Sequence, residues 1–298
     1  MYKKHPYFIV GWLWYVITLL PVIGIFQSGA QAYADRFVYI PFIGIYIILA
    51  WGTPHFLKFI KTPQAVSTII FFIILPILGT MTWFQIGYWK NSNTLYAHTL
   101  EVTDNNWLIH NNYGKVLEEM GKEKEATNHF EKAMSIKPEL PVTHLNLANN
   151  LYRLGKISLS EKHYNMALSA SYSSNESEVA LKAHNRLALI YQMQKKNDQA
   201  IMHYTEALRI NPNESKTLNN IAIIQAQTDN FQEAFANFSK ALELDPANVE
   251  TLNNLGLLSI KMGNSEVGIY YFKRAVLLNP NYKPAQYNLA KYSKNLPK

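Results

Sequence analysis

A proline recurs at Pro138, Pro212, Pro246 and Pro280, and the last three stand 34 residues apart. Five residues before each lies an alanine, Ala133, Ala207, Ala241 and Ala275, and three further back a ring, Phe130, Tyr204, Phe238 and Phe272. A second series of small residues, Gly114, Ala148, Ala188, Ala222 and Gly256, follows Tyr113, Leu147, Leu187, Ile221 and Leu255. Proline ends a helix, and a small residue at a fixed place lets two helices approach closely. A helix pair of this size cannot bury its apolar face alone and must stack on neighbours, so the period predicts an all-α solenoid.

These positions resemble the tetratricopeptide repeat pattern. On that pattern the repeats are placed at 107–140, 141–174, 181–214, 215–248 and 249–282, followed by a closing helix over 283–298. Residues 91–106 read as a connector, with Tyr96 and Thr99 in the register of the second helix of a half repeat. Repeat two has Tyr172 at the proline position, and Asn175 to Ala180 are extra. A longer turn is expected there, bending the stack.

Charge divides the chain in two. Residues 1–90 hold seven Asp, Glu, Lys or Arg, whereas residues 107–298 hold forty. Three uncharged runs, 7–26, 37–57 and 65–87, match the twenty or so residues that span a hydrocarbon core, so residues 1–90 are expected to form three transmembrane helices. A cleaved signal would give one such run, not three. Pro21 and Pro76 are expected to kink their spans and not to end them. Lys3, Lys4, Lys58 and Lys61 lie on one side, against Arg36, offset by Asp35, and Lys90 on the other. The positive-inside rule then puts the N-terminus in the cytoplasm and the repeats in the periplasm, the exterior or a lumen. There is no cysteine, which excludes disulfides and thiolate ligands. The net charge of +7 contains no run of five like charges, and no nucleic-acid footprint.

The stretches G-W-L-W-Y, L-P-V-I-G, Q-A-Y-A-D-R-F-V-Y-I-P and W-F-Q-I-G-Y-W-K-N-S resemble the last membrane segments of the transmembrane-and-TPR O-mannosyltransferase family and its bacterial relatives. That resemblance implies a link to GT-C glycosyltransferases, whose catalytic carboxylates lie in the first outer loop. Here the outer loop offers Asp35 as a lone acid, and no catalytic residue is assigned. Arg36, beside Asp35, is read as an interface anchor or as a contact for the phosphate of a polyprenyl-linked sugar.

Two series remain. His110, His144 and His184 share the fourth repeat position, and His129, His163 and His203 the twenty-third. Recurrence at the repeat period marks packing or surface, so no metal or other cofactor is expected. At the sixth position stand Asn112, Asn146, Arg186, Asn220, Asn254 and Asn288. Carried over for this position alone, the asparagine ladder of O-GlcNAc transferase implies amides on a concave face that bond a peptide backbone. Their replacement is then expected to weaken peptide binding while scarcely moving the melting temperature. Lys182 and Arg186 resemble part of a carboxylate clamp and add a basic spot. Asn175, Asn213 and Asn237 each begin an N-x-S sequon, of weight only in a secretory lumen. The expected function is a membrane-anchored module, without its own catalytic centre, that binds extended polypeptide in its groove during protein glycosylation or envelope assembly. The alternative is the acceptor-recruiting portion of a polyprenyl-phosphate-sugar-dependent protein O-glycosyltransferase.

Overall fold

The structure, a computed structural model, describes residues 6–19, 39–57 and 62–293. Every regular element among them is a helix. The chain divides into two compact units, residues 1–86 and 87–298.

The first unit holds α1 (Pro6–Leu19), α2 (Tyr39–Leu57) and most of α3 (Pro63–Tyr88). α1 and α2 pack antiparallel where two glycines meet: a Cβ on Gly11 would collide with the Gly44 carbonyl, and one on Gly44 with the carbonyl of Gly11. α3 runs through Pro76 without ending, and the Thr80 hydroxyl donates to the Pro76 carbonyl at 2.8 Å. Its apolar side chains are largely uncovered, Trp83 being 77% exposed. Among the described residues no single helix is long and apolar enough to cross a membrane. Pro21, Asp35, Arg36 and the flanking lysines Lys3, Lys4, Lys58 and Lys61 lie outside the described residues.

The second unit opens with α4 (Ser92–Val102), capped by Asn91, whose side chain accepts from the Thr94 amide at 2.9 Å. Five helix pairs follow: α5 (Trp107–Glu119) with α6 (Glu123–Ile136), α7 (Pro141–Arg153) with α8 (Ile157–Ser174), α9 (Ser177–Met193) with α10 (Asn197–Ile210), α11 (Ser215–Gln227) with α12 (Phe231–Leu244), and α13 (Val249–Lys261) with α14 (Ser265–Leu278). α15 (Lys283–Ser293) packs on α13 and α14 and closes the stack, with Ala285 fully buried.

Each pair is sealed by the same fit. Phe130, Tyr164, Tyr204, Phe238 and Phe272 are at most 2% exposed. A Cβ added to Gly114 would stand 2.6 Å from the Phe130 ring, and one on Gly256 2.7 Å from Cδ1 of Phe272. In the other repeats Ala148, Ala188 and Ala222 take the small place and are fully buried.

The extra residues between repeats two and three do not lengthen the turn. α8 has 18 residues and α9 has 17, where the other paired helices have 14 and 13. Only residues 175–176 connect them, whereas four residues join the other repeats. The expected loop is corrected to helix, because nothing from Ser169 to Ala180 forbids it and Asn175, at φ 58°, caps α8. The first helix of repeat three accordingly begins at Ser177, four residues ahead of position 181.

Between the helices of every pair one residue takes a left-handed conformation: Gly121 at φ 73°, Gly155 at 72°, Lys195 at 59°, Asp229 at 61° and Gly263 at 84°. Glycine adopts it freely, whereas a side chain costs about 1–2 kcal/mol, partly offset by glycine's greater freedom when unfolded. Lys195→Gly should therefore raise stability by about 0.5–1 kcal/mol, read as a higher urea midpoint; a lower midpoint would show that Lys195 is held by compensating contacts.

Candidate functional site

The first helices of successive repeats touch one another, α5 with α7, α7 with α9, α11 with α13 and α13 with α15, while the second helices make no comparable approach. The row of first helices is thus the tighter, inner face, and the sixth-position residues lie along it.

Four of the ladder asparagines are already bonded: Asn112 accepts from its neighbour Asn111 at 3.5 Å, and three others donate across a repeat boundary. Asn146 donates to Asn111 at 2.9 Å, Asn254 to Asn219 at 3.2 Å and Asn288 to Asn253 at 2.8 Å, each reaching back 35 residues to the fifth position of the preceding repeat. Thr251 donates to Asn219 at 3.2 Å across one of the same boundaries, and Thr217 donates to Asn185 at 2.8 Å across that between repeats three and four. Asn111, Asn219 and Asn253 are 4–5% exposed, so these bonds form an amide seam between repeats, shielded from water.

This corrects the expectation that the amides bear only on ligand. Asn112 and Asn220 are half-buried, and Asn288 is 9% exposed. The donors of Asn254 and Asn288 are engaged, so removing them opens the seam as well as the groove. The fifth-position partners escaped sequence reading, although their spacing carries a signal: where that position is Leu145, the next repeat has Arg186 in place of asparagine.

Arg186 stands apart for that reason. It has no amide acceptor to answer, it is exposed, and among the described residues no carboxylate lies within ion-pair distance. Lys182, one turn earlier, is exposed and bonded to Glu178 at 2.6 Å, which holds that carboxyl below its usual range. Next to Arg186, Tyr164 is pushed up to about 12 by burial and donates to Asn149 at 2.7 Å. Arg153 reaches back to Glu118 at 3.2 Å, whose carboxyl is raised by burial.

The recurrent histidines meet in pairs, His110 with His129, His144 with His163 and His184 with His203. Their nineteen-residue spacing was visible, but not that the rings touch. Among the described residues no group of three or more His, Asp or Glu could hold a metal ion.

A buried amide left without its partner costs about 1–3 kcal/mol. Asn219→Ala, which strands both Thr251 and Asn254, should lower stability within or above that range, whereas Arg186→Ala should change it by less than about 0.5 kcal/mol. Urea unfolding of the two variants in parallel decides this; equal effects would dissolve the distinction between seam and groove.

Models of the tetratricopeptide repeat match residues 109–140, 139–213, 215–248 and 237–266, together just over half of the chain. Human Protein O-mannosyl-transferase TMTC1 is 26% identical over 149 residues, which are 50% of this chain and 16% of that protein. Human Protein O-mannosyl-transferase TMTC3 is 24% identical over 206 residues, 66% of this chain and 22% of that protein. The chain thus spans about a fifth or less of the length of these relatives, and matches their repeat portion. Among solved structures, pilF of Pseudomonas aeruginosa superposes with a TM-score of 0.58 at 18% identity, over 69% of this chain and 93% of that one. YrrB, described as a TPR protein with an unusual peptide-binding site, does so with 0.51 at 15% identity, over 67% and 98%. At such identities the likeness is one of fold alone. With five repeats built on one ring-and-small-residue fit and matched across them, the chain belongs to the tetratricopeptide repeat superfamily.

Proposed function

We propose that the repeats hold an extended polypeptide along the inner face. The observation that carries this is Arg186, a cation left without a carboxylate where the amide seam is interrupted, in one row with Lys182, the half-buried Asn112, Asn146, Asn220 and Asn254, and the buried Asn288. An unfolded segment presents backbone donors and acceptors to such amides whatever its side chains, and an acidic side chain or terminus can meet the guanidinium bidentately.

We further propose that the uncharged first 90 residues anchor the module in a lipid bilayer as three spans, with the repeats on the non-cytoplasmic side. Close glycine packing of α1 on α2 supports this, since helices in lipid associate through small residues that let backbones approach. The outward apolar side chains of α3 support it too. Asp35 and Arg36 would then stand at the outer headgroup level, where the arginine can bind a lipid phosphate or that of a polyprenyl-linked sugar.

The setting we infer is protein glycosylation. The O-mannosyl-transferase names of the relatives support it, and so favour a second reading in which the groove recruits acceptor chains for a transferase. In the first reading the chain binds polypeptide without a catalytic centre of its own.

Experiments on binding, transfer and topology test these readings. Unstructured peptides selected on an array should bind the full chain in detergent, and Arg186→Glu should weaken them about tenfold with the urea midpoint unmoved. Unchanged affinity would remove the groove assignment. The same bound peptides, offered a polyprenyl-phosphate mannose, should yield no glycopeptide; product that vanishes in Asp35→Asn would move catalysis into this stretch. For the anchor, protease added to intact spheroplasts or sealed lumen-out vesicles should digest the repeats. Digestion only after lysis would reverse the orientation, and release of the chain by alkaline carbonate would end the membrane proposal.

A further inference from the structure

Eight of the nine histidines lie in the described residues, and six of these form the three pairs; none follows His203. In each pair Nδ1 faces Nδ1, at 3.0 Å for His110 and His129, 3.3 Å for His144 and His163, and 2.9 Å for His184 and His203. Each pair ties the first helix of a repeat to the second. Repeats four and five carry Leu218 with Asn237 and Leu252 with Tyr271 at the same two places.

Two nitrogens at this distance share one proton. For the second pair the tautomers follow from a neighbour: His144 Nε2 lies 2.8 Å from the Pro138 carbonyl, which can only accept. Neutral His144 therefore donates from Nε2, accepts at Nδ1, and receives the Nδ1 proton of His163. In the third pair Tyr172, at the proline position, places its hydroxyl 2.8 Å from His184 Nε2, where it can accept from that nitrogen or donate to it. These contacts also link the second and third pairs to the preceding repeat.

We propose that the three histidine pairs make repeats one to three an acid-opened segment, which loosens in mildly acidic solution while repeats four and five keep their packing.

The argument is one of proton capacity. A pair can take one further proton on an outward nitrogen and keep its bond, but a second sets two N–H groups face to face and parts the rings. Once opened, both rings titrate near their ordinary value of about 6.5. At least one proton per pair is thus excluded from the closed form. Each excluded proton lowers the closed-to-open ratio about tenfold per pH unit below that value, so three pairs approach about a thousandfold. Burial works in the same direction: it holds His110, His129, His163 and His203 below the usual range and His184 at about 4. A folded value below the unfolded one means stability present above about pH 6.5 and lost as pH falls from there toward the folded value.

The charged surroundings differ from pair to pair. Lys132 faces His110 and His129, with Glu125 opposing it at His129, and Lys162 faces His163. Glu206 faces both His184 and His203, and Glu161 on α8, which accepts from the Tyr191 hydroxyl at 2.8 Å, faces His203. Tyr191 stacks on His203 at 5.3 Å, and Lys196 Nζ lies over the Tyr191 ring at 5.6 Å. Tyr113 sets its ring edge-on to His129. Carboxylates thus face the third pair and lysines the first two.

Hydrogen exchange of the full chain in detergent micelles, between pH 8 and pH 5 and corrected for intrinsic exchange, tests this. Amides of α5 to α10 should lose protection by at least about tenfold per pH unit below 6.5, relative to the histidine-free α11 to α14. Replacing each pair as repeat four does, His110→Leu with His129→Asn, His144→Leu with His163→Asn and His184→Leu with His203→Asn, should abolish that difference. Parallel protection in both segments of the natural chain would overturn the proposal, as would its persistence in the variant. If the variant does not fold, nitrogen NMR of the natural chain decides: both members of a pair fully protonated while α5 to α10 stay protected would overturn it.

Discussion

The second unit depends on the contact between one aromatic ring and one small residue in each helix pair. Phe130 against Gly114 and Phe272 against Gly256 leave no room for a Cβ, and the three intermediate rings lie in the same buried clusters as an alanine. That fit sets the distance between the two helices, and the distance sets which residues meet across them. Histidines at the fourth and twenty-third positions touch only because the rings beneath them hold the helices at that separation.

Period alone made the solenoid legible. Pro, Ala and aromatic residues at fixed offsets located the pairs, and the left-handed turn between helices recurs in the same frame, even where Lys195 and Asp229 replace glycine. What the period could not show was bonding. Asn146, Asn254 and Asn288 look alike whether they face a ligand or a neighbouring amide, and their acceptors lie one repeat and one residue away. The distinguishing mark was the exception, Leu145 followed by Arg186, where both members of the seam are lost together. Tyr164 was likewise missed because repeat two lacks the proline that points to it.

The first unit was legible in a different sense. Absence of charge says which solvent a segment tolerates, but it has no period from which to read neighbours. The contact of Gly11 with Gly44 depends on backbone approach, which composition does not encode. Charged residues carry the argument about sidedness, and Arg36 and Asp35 carry the argument about phosphate; both rest on sequence alone.

The junction between α8 and α9 has a consequence for how such a stack can change length. Each helix there carries four residues more than its counterparts, close to the 3.6 that complete one turn. The buried stripe therefore returns to nearly the same azimuth after the addition. Three extra residues would leave it about 60° short of a full turn, and five about 140° beyond, carrying polar side chains into the seam. At this boundary the added length is thus taken up as about one whole turn on each of two helices, with two residues left to connect them.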